Sequence, residues 1–492
     1  MDLRDIQLQQ SVPERNGSSL SQQLFFALRQ KILARQLSTG SRLPASRVLA
    51  SDLGISRNTV NSAYEQLRAE GYVTSREGSG FFISAQLPRA DLAPEAVSGK
   101  RLNQWPELSE YGSRLHRLSA RNDKKGTMDN LPFTVGLPDF RLFPNKVWQQ
   151  LIRRHCDRRV LMGYHDYQGY EPLRKALAAY LNSSRGMNCR SEQIVITQGA
   201  QHGLALCAQL LLNSGDQVLM EEPGYTGARN AFSAMGAHIS PIRHSNNGIN
   251  ISELPETGDY RALCCTPTHQ YPMGGILSAS ERMELLQWAE RNQCWIIEDD
   301  YDSEFHYYSK PIAAMAGMAE QTPVIYMGSF SKTLLPGLRL GYLVVPEHLV
   351  DVFVDAKAFS SGETPLFTQA VVADFIEEGH FYRHLRRCRK SYQQKWEHMQ
   401  QLCTQHLTGL MTPVAQSAGM HIALTFDDQR MDDAQVSKKF RKQEFGSSPL
   451  SSYYYSSLRT QGLVLGFANT TGEEREQGIA VLKPCLDRSA LA

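Results

Sequence analysis

Long apolar runs are missing from this chain. No segment reaches the roughly 18 consecutive apolar residues of a membrane span, and the opening residues, MDLRDIQLQQ, hold no apolar signal core. A cytoplasmic protein with no membrane partner is expected. Paired cysteines are missing too: the nine cysteines are an odd number, none forms a C-x-x-C pair, and only Cys264 and Cys265 are close neighbours. Neither a disulfide framework nor a zinc site is indicated, so no metal is expected. No internal repeat or low-complexity tract stands out beyond the Ser/Tyr-rich run 447–457. An excess of charge of one sign is lacking as well. The net charge of +2 is uninformative for the whole chain, because a small basic module is diluted by a large neutral one; residues 1–84 alone hold ten Arg/Lys against seven Asp/Glu. What is present is the balance of packed globular protein, 41% hydrophobic and 21% charged over 492 residues, a length that implies two or more domains.

Residues 15–84 read as a small α+β domain. Leu24, Leu28 and Ile32 recur every fourth position, with Phe25 and Leu33 beside them, giving an amphipathic helix over 20–36 that the turn Thr39-Gly40-Ser41 ends. Ser46 is placed to cap a second helix carrying Leu49 and Leu53 and closed by Gly54. Ser56 caps a third, whose Val60, Ala63, Tyr64 and Leu67 face inward before Gly71 stops it. Tyr72-Val73-Thr74, a Gly-rich turn and Phe81-Phe82-Ile83 then form a hairpin. Three helices and a hairpin make a winged helix-turn-helix. Arg57, Asn58, Asn61 and Arg68 lie off the apolar stripe of the third helix, as a helix entering the DNA major groove requires, and Arg47 is placed to meet a phosphate.

Residues 85–128 contain Pro88, Pro94 and Gly99 with little periodicity, which reads as a linker with room for one short helix. From 129 to 492, apolar runs at 194–196, 217–220, 262–264, 295–297, 324–327 and 340–345 alternate with helical patterns, the signature of a buried, largely parallel sheet in an α/β domain. From about 350 to 492, long helices mix with strands at 420–426 and 462–467, a smaller α+β subdomain.

Several strand ends in this second part carry chemistry. Ser329-Phe330-Ser331-Lys332 follows a strand, and Arg339 stands seven residues after the lysine. Asp299, Asp300 and Tyr301 follow another strand, at the end where α/β ligand sites gather. Gly199-Ala200-Gln201 turns from a strand into a helix whose first N–H groups can hold a phosphate. Tyr225, after the strand ending near Glu222, offers an aromatic face. A lysine amine, phosphate donors that include Ser329, Ser331 and Arg339, a carboxylate and a stacking ring are the four things pyridoxal 5'-phosphate (PLP) asks of a protein. Lys332 is therefore the candidate catalytic residue, as the Schiff-base lysine.

The run LPASRVLASDLGISRNTVNSAYEQLRAEGYVTSREGSGFFIS resembles the GntR-type winged helix. Its SRNTV…AYEQLRAEGY wording, with IIEDDYDSEF and YMGSFSKTLLPGLRLGY further on, resembles the MocR subfamily of these regulators. The likeness covers 20–84 and 129–492. It implies a multidomain chain, a winged helix-turn-helix followed by a PLP-dependent transferase fold of type I. It implies DNA contacts by Arg47, Arg57, Asn58 and Thr59, and a homodimer in which Tyr164 reaches the partner's phosphate, against simple core packing as the plain alternative. The likeness places Asp299, rather than Asp300, at the pyridine nitrogen and Tyr301 at the ring oxygen. It also sets Thr266-Pro267-Thr268-His269-Gln270-Tyr271-Pro272-Met273-Gly274 where aminotransferases have an Asn-Pro-Thr-Gly turn, so that His269 or Gln270 stands in for the asparagine.

One departure bears on activity. Aminotransferases hold a substrate carboxylate with an arginine near the late strand, whereas residues 462–467 hold none; Arg459 and Arg475 are the nearest, and Arg229 and Arg459 are candidates for an effector carboxylate. The expectation is a regulator binding a double-stranded DNA operator, with PLP, or its aldimine with a small amine or amino acid, as the signal. The alternative is a working aminotransferase whose DNA module is secondary.

Overall fold

A computed structural model describes residues 3, 6, 8, 19–76, 78–85, 107–121, 130–308, 312–319, 322–416 and 418–486. The chain divides into two compact units, residues 1–107 and 108–492.

In the first unit, helices α1 (Leu20–Leu33), α2 (Ser46–Leu53) and α3 (Arg57–Ala69) precede strands β1 (Val73–Arg76) and β2 (Gly80–Ile83). Leu24, Leu28 and Ile32 of α1 are fully buried against Val60, Ala63 and Leu67 of α3, each such side chain contributing roughly 2 kcal/mol. Gly54 ends α2 at φ 64, a left-handed turn that suits glycine. Ser56 caps α3, its Oγ accepting from Thr59 N at 3.1 Å. Ser46 does not cap α2: it is the first helical residue, and no side chain bonds the helix start from Ala45. Its hydroxyl instead accepts from Arg57 Nε at 3.3 Å, tying the two helices of the turn together.

The stretch expected as linker is not linker throughout. Helix α4 (Glu110–Arg121) packs on a later helix of the second unit, where Arg114 donates to the carbonyls of Ala234 and Met235. Residues 86–106 and 122–129 lie outside the described residues.

The second unit is built on an eight-stranded sheet. Its strands are β3 (Ile194–Thr197), β4 (Gln217–Glu222), β5 (His238–Ser245), β6 (Gly248–Ile249), β7 (Tyr260–Cys265), β8 (Trp295–Asp300), β9 (Val324–Ser329) and β10 (Gly341–Val344), in the order β3-β10-β9-β8-β7-β4-β5-β6. Strands β5, β4, β7, β8 and β9 pair parallel, while β10 runs antiparallel to β3 and β9. The central strands are buried on both faces, which is why they read as unbroken apolar runs. Around the sheet lie α5 (Asn145–Cys156), α6 (Glu171–Arg185), α7 (Ala200–Leu211), α8 (Thr226–Met235), α9 (Ala279–Arg291), the single turn α10 (Phe330–Thr333), α11 (Val350–Ser360), α12 (Leu366–Glu377) and α13 (His380–His406). The small four-stranded sheet follows, with β11 (Met411–Pro413), β12 (His421–Phe426), β13 (Ser448–Pro449) and β14 (Gly462–Gly466) in the order β11-β12-β14-β13. The pairings bring the C-terminal ends of β3, β4, β7, β8 and β9 to one edge of the large sheet, beside the start of β10. Every chemistry-bearing loop named above leaves from that edge.

All nine cysteines are free, and Cys156 alone among them is exposed. Among the described residues no helix is long and apolar enough to cross a membrane, and no group of three His, Cys, Asp or Glu is placed to hold a metal ion.

Candidate ligand and nucleic-acid sites

Lys332 sits on the turn of α10, directly after β9, and is half-buried. Its Nζ donates to Gly136 O at 2.8 Å. Gly136 has φ +74, and a Cβ there would lie 2.1 Å from Nζ, so the loop leaves just the room the lysine tip takes. Surrounding protein pushes the Lys332 amine below its ordinary range, while Asp302 and Asp299 oppose the shift. A larger neutral fraction makes the amine a better nucleophile.

The two neighbouring aspartates have separate fates, since successive strand residues point to opposite faces. Asp300 Oδ2 accepts from Arg185 Nε at 2.7 Å and from the Tyr326 hydroxyl at 2.5 Å, a buried network beneath the sheet. Asp299 is governed by burial and charge: burial, then Asp300 and Glu221, push its carboxyl up to about 7, against the pull of Lys332. It lines a pocket with Glu221, Tyr225, Cys264 and Thr266 at the ends of β4, β7 and β8. Tyr225 is half-buried, edge-on to Tyr271 with ring centroids 5.9 Å apart. Burial, then the charge of Asp299, pushes its hydroxyl up to about 12, and Arg339 pulls the other way. One ring thus lies within the fields of both Asp299 and Arg339.

Gly199 starts α7 at φ +91, and a Cβ on it would lie 3.4 Å from Arg339 Nη2. Ala200 and Gln201 begin the helix, where N–H groups have no partner within the helix. Arg339 itself is left-handed, at φ 49, a conformation costing roughly 1–3 kcal/mol outside glycine, and its Nη2 donates to Gln198 O at 3.2 Å. Ser329 Oγ accepts from Ser331 N at 3.1 Å and donates to Ser331 Oγ at 3.0 Å. Glycine turn, helix start, two serines and an arginine thus gather around the β3–β10–β9 corner.

His269 and Gln270 differ. Gln270 is fully buried and holds the turn together, its Nε2 donating to Pro223 O (2.7 Å) and Tyr271 O (2.9 Å) and its Oε1 accepting from Met273 N (3.0 Å). Of the two candidates to replace the asparagine, Gln270 is therefore removed. His269 Nδ1 lies 3.0 Å from Asp302 Oδ1 and 2.8 Å from the Tyr301 hydroxyl, and Nε2 has no partner among the described residues. The Asp302 carboxylate and the Tyr301 hydroxyl thus share the one ring nitrogen, which fixes the orientation of both the imidazole and the phenol. Tyr164 is 92% exposed, which removes core packing as its role. Arg229 donates to Tyr454 O and lies over the Tyr455 ring, and Arg459 is exposed with Nε on Ser456 O.

Sequence reasoning missed Gly136, Asp302 and His421. The acidic run was followed only as far as Tyr301, and one more residue would have included Asp302; Gly136 is 196 positions from the lysine it meets and gave no local signal. A cavity of about 730 Å³ at the opposite edge of the sheet, around Val324, Val344 and the ion-paired Arg190 and Glu347, holds none of the motif residues.

In the first unit Arg47, Arg57 and Asn58 are exposed, and Thr59 and Asn61 half-buried, opposite the buried stripe of α3. Thr59 Oγ1 lies 2.8 Å from Ser56 Oγ and so also serves the cap. Arg68 pairs with Glu65 at 2.6 Å.

Two family models match: aminotransferase class I and II over residues 129–482, and the gntR family of bacterial regulatory proteins over 20–83. The chain is 37% identical over 466 residues to the probable rhizopine catabolism regulatory protein MocR of Rhizobium meliloti, spanning 94% of this chain and 93% of that one. The chain belongs to the MocR-like regulators of the GntR family. With the HTH-type regulator YhdI of Bacillus subtilis it shares 32% identity over 476 residues, 96% of each chain. Among solved structures, LysN, the α-aminoadipate aminotransferase of Thermus thermophilus, in complex with N-(5'-phosphopyridoxyl)-L-leucine, superposes with a TM-score of 0.71 at 25% identity, covering 78% of this chain and 98% of LysN. A MocR-like chain is an HTH-type transcription regulator whose larger part has the PLP-dependent aminotransferase fold of type I.

Proposed function

We propose that this MocR-like regulator binds an operator as a homodimer and reads the state of PLP held at Lys332. The observation that carries the reading is the half-buried lysine between a glycine cradle and the buried, raised carboxyl of Asp299. PLP supplies an aldehyde that a lysine amine can hold and an electron-withdrawing ring. The donor set fits it. Lys332 Nζ would hold the aldehyde carbon, and Asp299 would meet the ring nitrogen, whose positive charge would return its carboxyl toward the ordinary range. Tyr225 covers the ring face, while Tyr301, oriented by His269, donates to the ring oxygen. The first N–H groups of Gly199, Ala200 and Gln201, with Ser329, Ser331 and Arg339, hold the phosphate. Exposed Tyr164 adds a hydroxyl to the partner's phosphate. In the reader, Arg57, Asn58 and Asn61 face base edges, Arg47 a phosphate, and Thr59 the backbone at the helix start.

A small amine that binds differently in two states of the dimer alters operator affinity; a ligand without that difference shifts nothing. Operator affinity and footprint length, measured at one salt concentration for empty, PLP-loaded and amine-treated protein, should differ among the three. Identical values at confirmed occupancy overturn the sensor reading, and release of a keto acid from amino acids would favour the enzyme instead.

A further inference from the structure

The small sheet turns an apolar face toward the turn that carries His269 and Tyr271. In the antiparallel pair β12–β14, Ala423 stands opposite Val464 and His421 opposite Gly466. Residues two apart on a strand share a face, so these four form one surface. Its direction is given by His421, whose ring lies 5.5 Å from that of His269 and 5.3 Å from that of Tyr271, and which feels the charge of Lys332. Ala423 and Val464 are fully buried and pack with Met273, Leu450 and Tyr453, and Val135 and Tyr271 complete the cluster. Val135 directly precedes Gly136, on whose carbonyl the lysine rests.

The side chains that β12 and β14 bring to this surface are His421, Ala423 and Val464, and none is a lysine or arginine. The arginines nearest β14 in sequence are committed elsewhere: Arg459 is exposed, and Arg475 is buried on Thr470 and His398. The carboxylates whose charge acts on Lys332 are Asp302 and Asp299, and Glu221, its carboxyl pushed up to about 7 by burial, lines the same pocket as Asp299. A ligand carboxylate here would be stripped of water against valine and alanine with no lysine or arginine on that face to meet it, an arrangement that strongly disfavours binding. A ligand without a carboxylate meets no such cost. The hydroxyls of Tyr271 and Tyr453, paired at 3.1 Å, offer hydrogen bonds to an uncharged polar group.

We infer that the effector of this regulator is a primary amine carrying no α-carboxylate. The inference rests on the PLP-sensor reading of the Lys332 site. Full-length PLP-loaded protein is titrated with pairs that differ only in the carboxylate, phenethylamine against L-phenylalanine and ethanolamine against L-serine, following the cofactor absorption and operator affinity. The carboxylate-free member of each pair should bind at least roughly tenfold more tightly and should alone change operator affinity. Val464→Arg should reverse the order within each pair. Equal or tighter binding of the amino acids by the unaltered protein overturns the inference while leaving the sensor reading intact, as does a response to neither amine. Failure of the protein to take up PLP at Lys332 overturns both.

Discussion

The adjacent aspartates at the end of β8 should respond in opposite ways to the same substitution. Asp300→Asn strips the partner from Arg185, whose side chain is 3% exposed and whose Nε lies 2.7 Å from the carboxylate. Removing one member of a buried pair leaves an uncompensated charge, a loss of about 3–5 kcal/mol. Asp299→Asn removes a carboxyl that the protein holds at about 7 instead of 3.8. A raised carboxyl contributes stability that is complete below the unfolded value and is lost as pH rises through the folded one. For Asp299 that window runs from 3.8 to about 7 and, at about 1.4 kcal/mol per unit, spans ~4 kcal/mol. In cofactor-free protein at pH 8, Asp299→Asn should therefore be neutral or stabilising, and the decline of stability between pH 5 and 8 should be shallower than in the unaltered chain. Its PLP affinity should fall at least roughly tenfold, because the ring nitrogen loses a buried charge partner. Urea unfolding at several pH values and a PLP titration measure both. Equal destabilisation by the two variants at pH 8, or unchanged PLP affinity in Asp299→Asn, would refute the division of roles.

Lys332→Ala should retain no PLP after borohydride reduction and dialysis, and mass spectrometry showing a covalent adduct would reassign the lysine. Arg57→Ala should weaken operator binding by roughly 1–3 kcal/mol at fixed salt while PLP loading is unchanged, since the side chain is exposed on a separate unit; unaltered affinity in a gel-shift titration removes it from the interface. Tyr164→Ala should leave monomer stability within about 0.5 kcal/mol, as befits a surface site, but should weaken PLP binding in the dimer. Unchanged cofactor affinity at protein concentrations well above the dimer dissociation constant would argue against its role.

The strand framework was legible because burial on both faces turns a strand into an apolar run, as at Ile194-Val195-Ile196 and Trp295-Ile296-Ile297, and the motifs follow those runs directly. Strand β5 was not: its sequence HISPIRHS carries a proline and alternating polar residues, and its burial is patchy. Asp299 and Asp300 could not be told apart by local pattern, because alternation says they face opposite ways but only Arg185, over a hundred positions earlier, says which face is taken. Gln270 looked like a ligand donor until its amide was seen to hold its own turn. The cap assigned to Ser46 failed for a similar reason, since Arg57 claims that hydroxyl across the helix-turn-helix. Local chemistry thus identified which residues can act, and long-range contacts decided which of them are free to do so.

Gly136 carries a constraint that works as a record of descent. Its backbone is left-handed, and the space a side chain would fill already holds the tip of Lys332, so any replacement both strains the loop and evicts the amine. A lineage that had stopped using its lysine would no longer be held to glycine there. In chains of this architecture, a glycine at this loop position alongside the lysine therefore marks a site still maintained by selection, and drift at the loop should precede or accompany loss of the lysine itself.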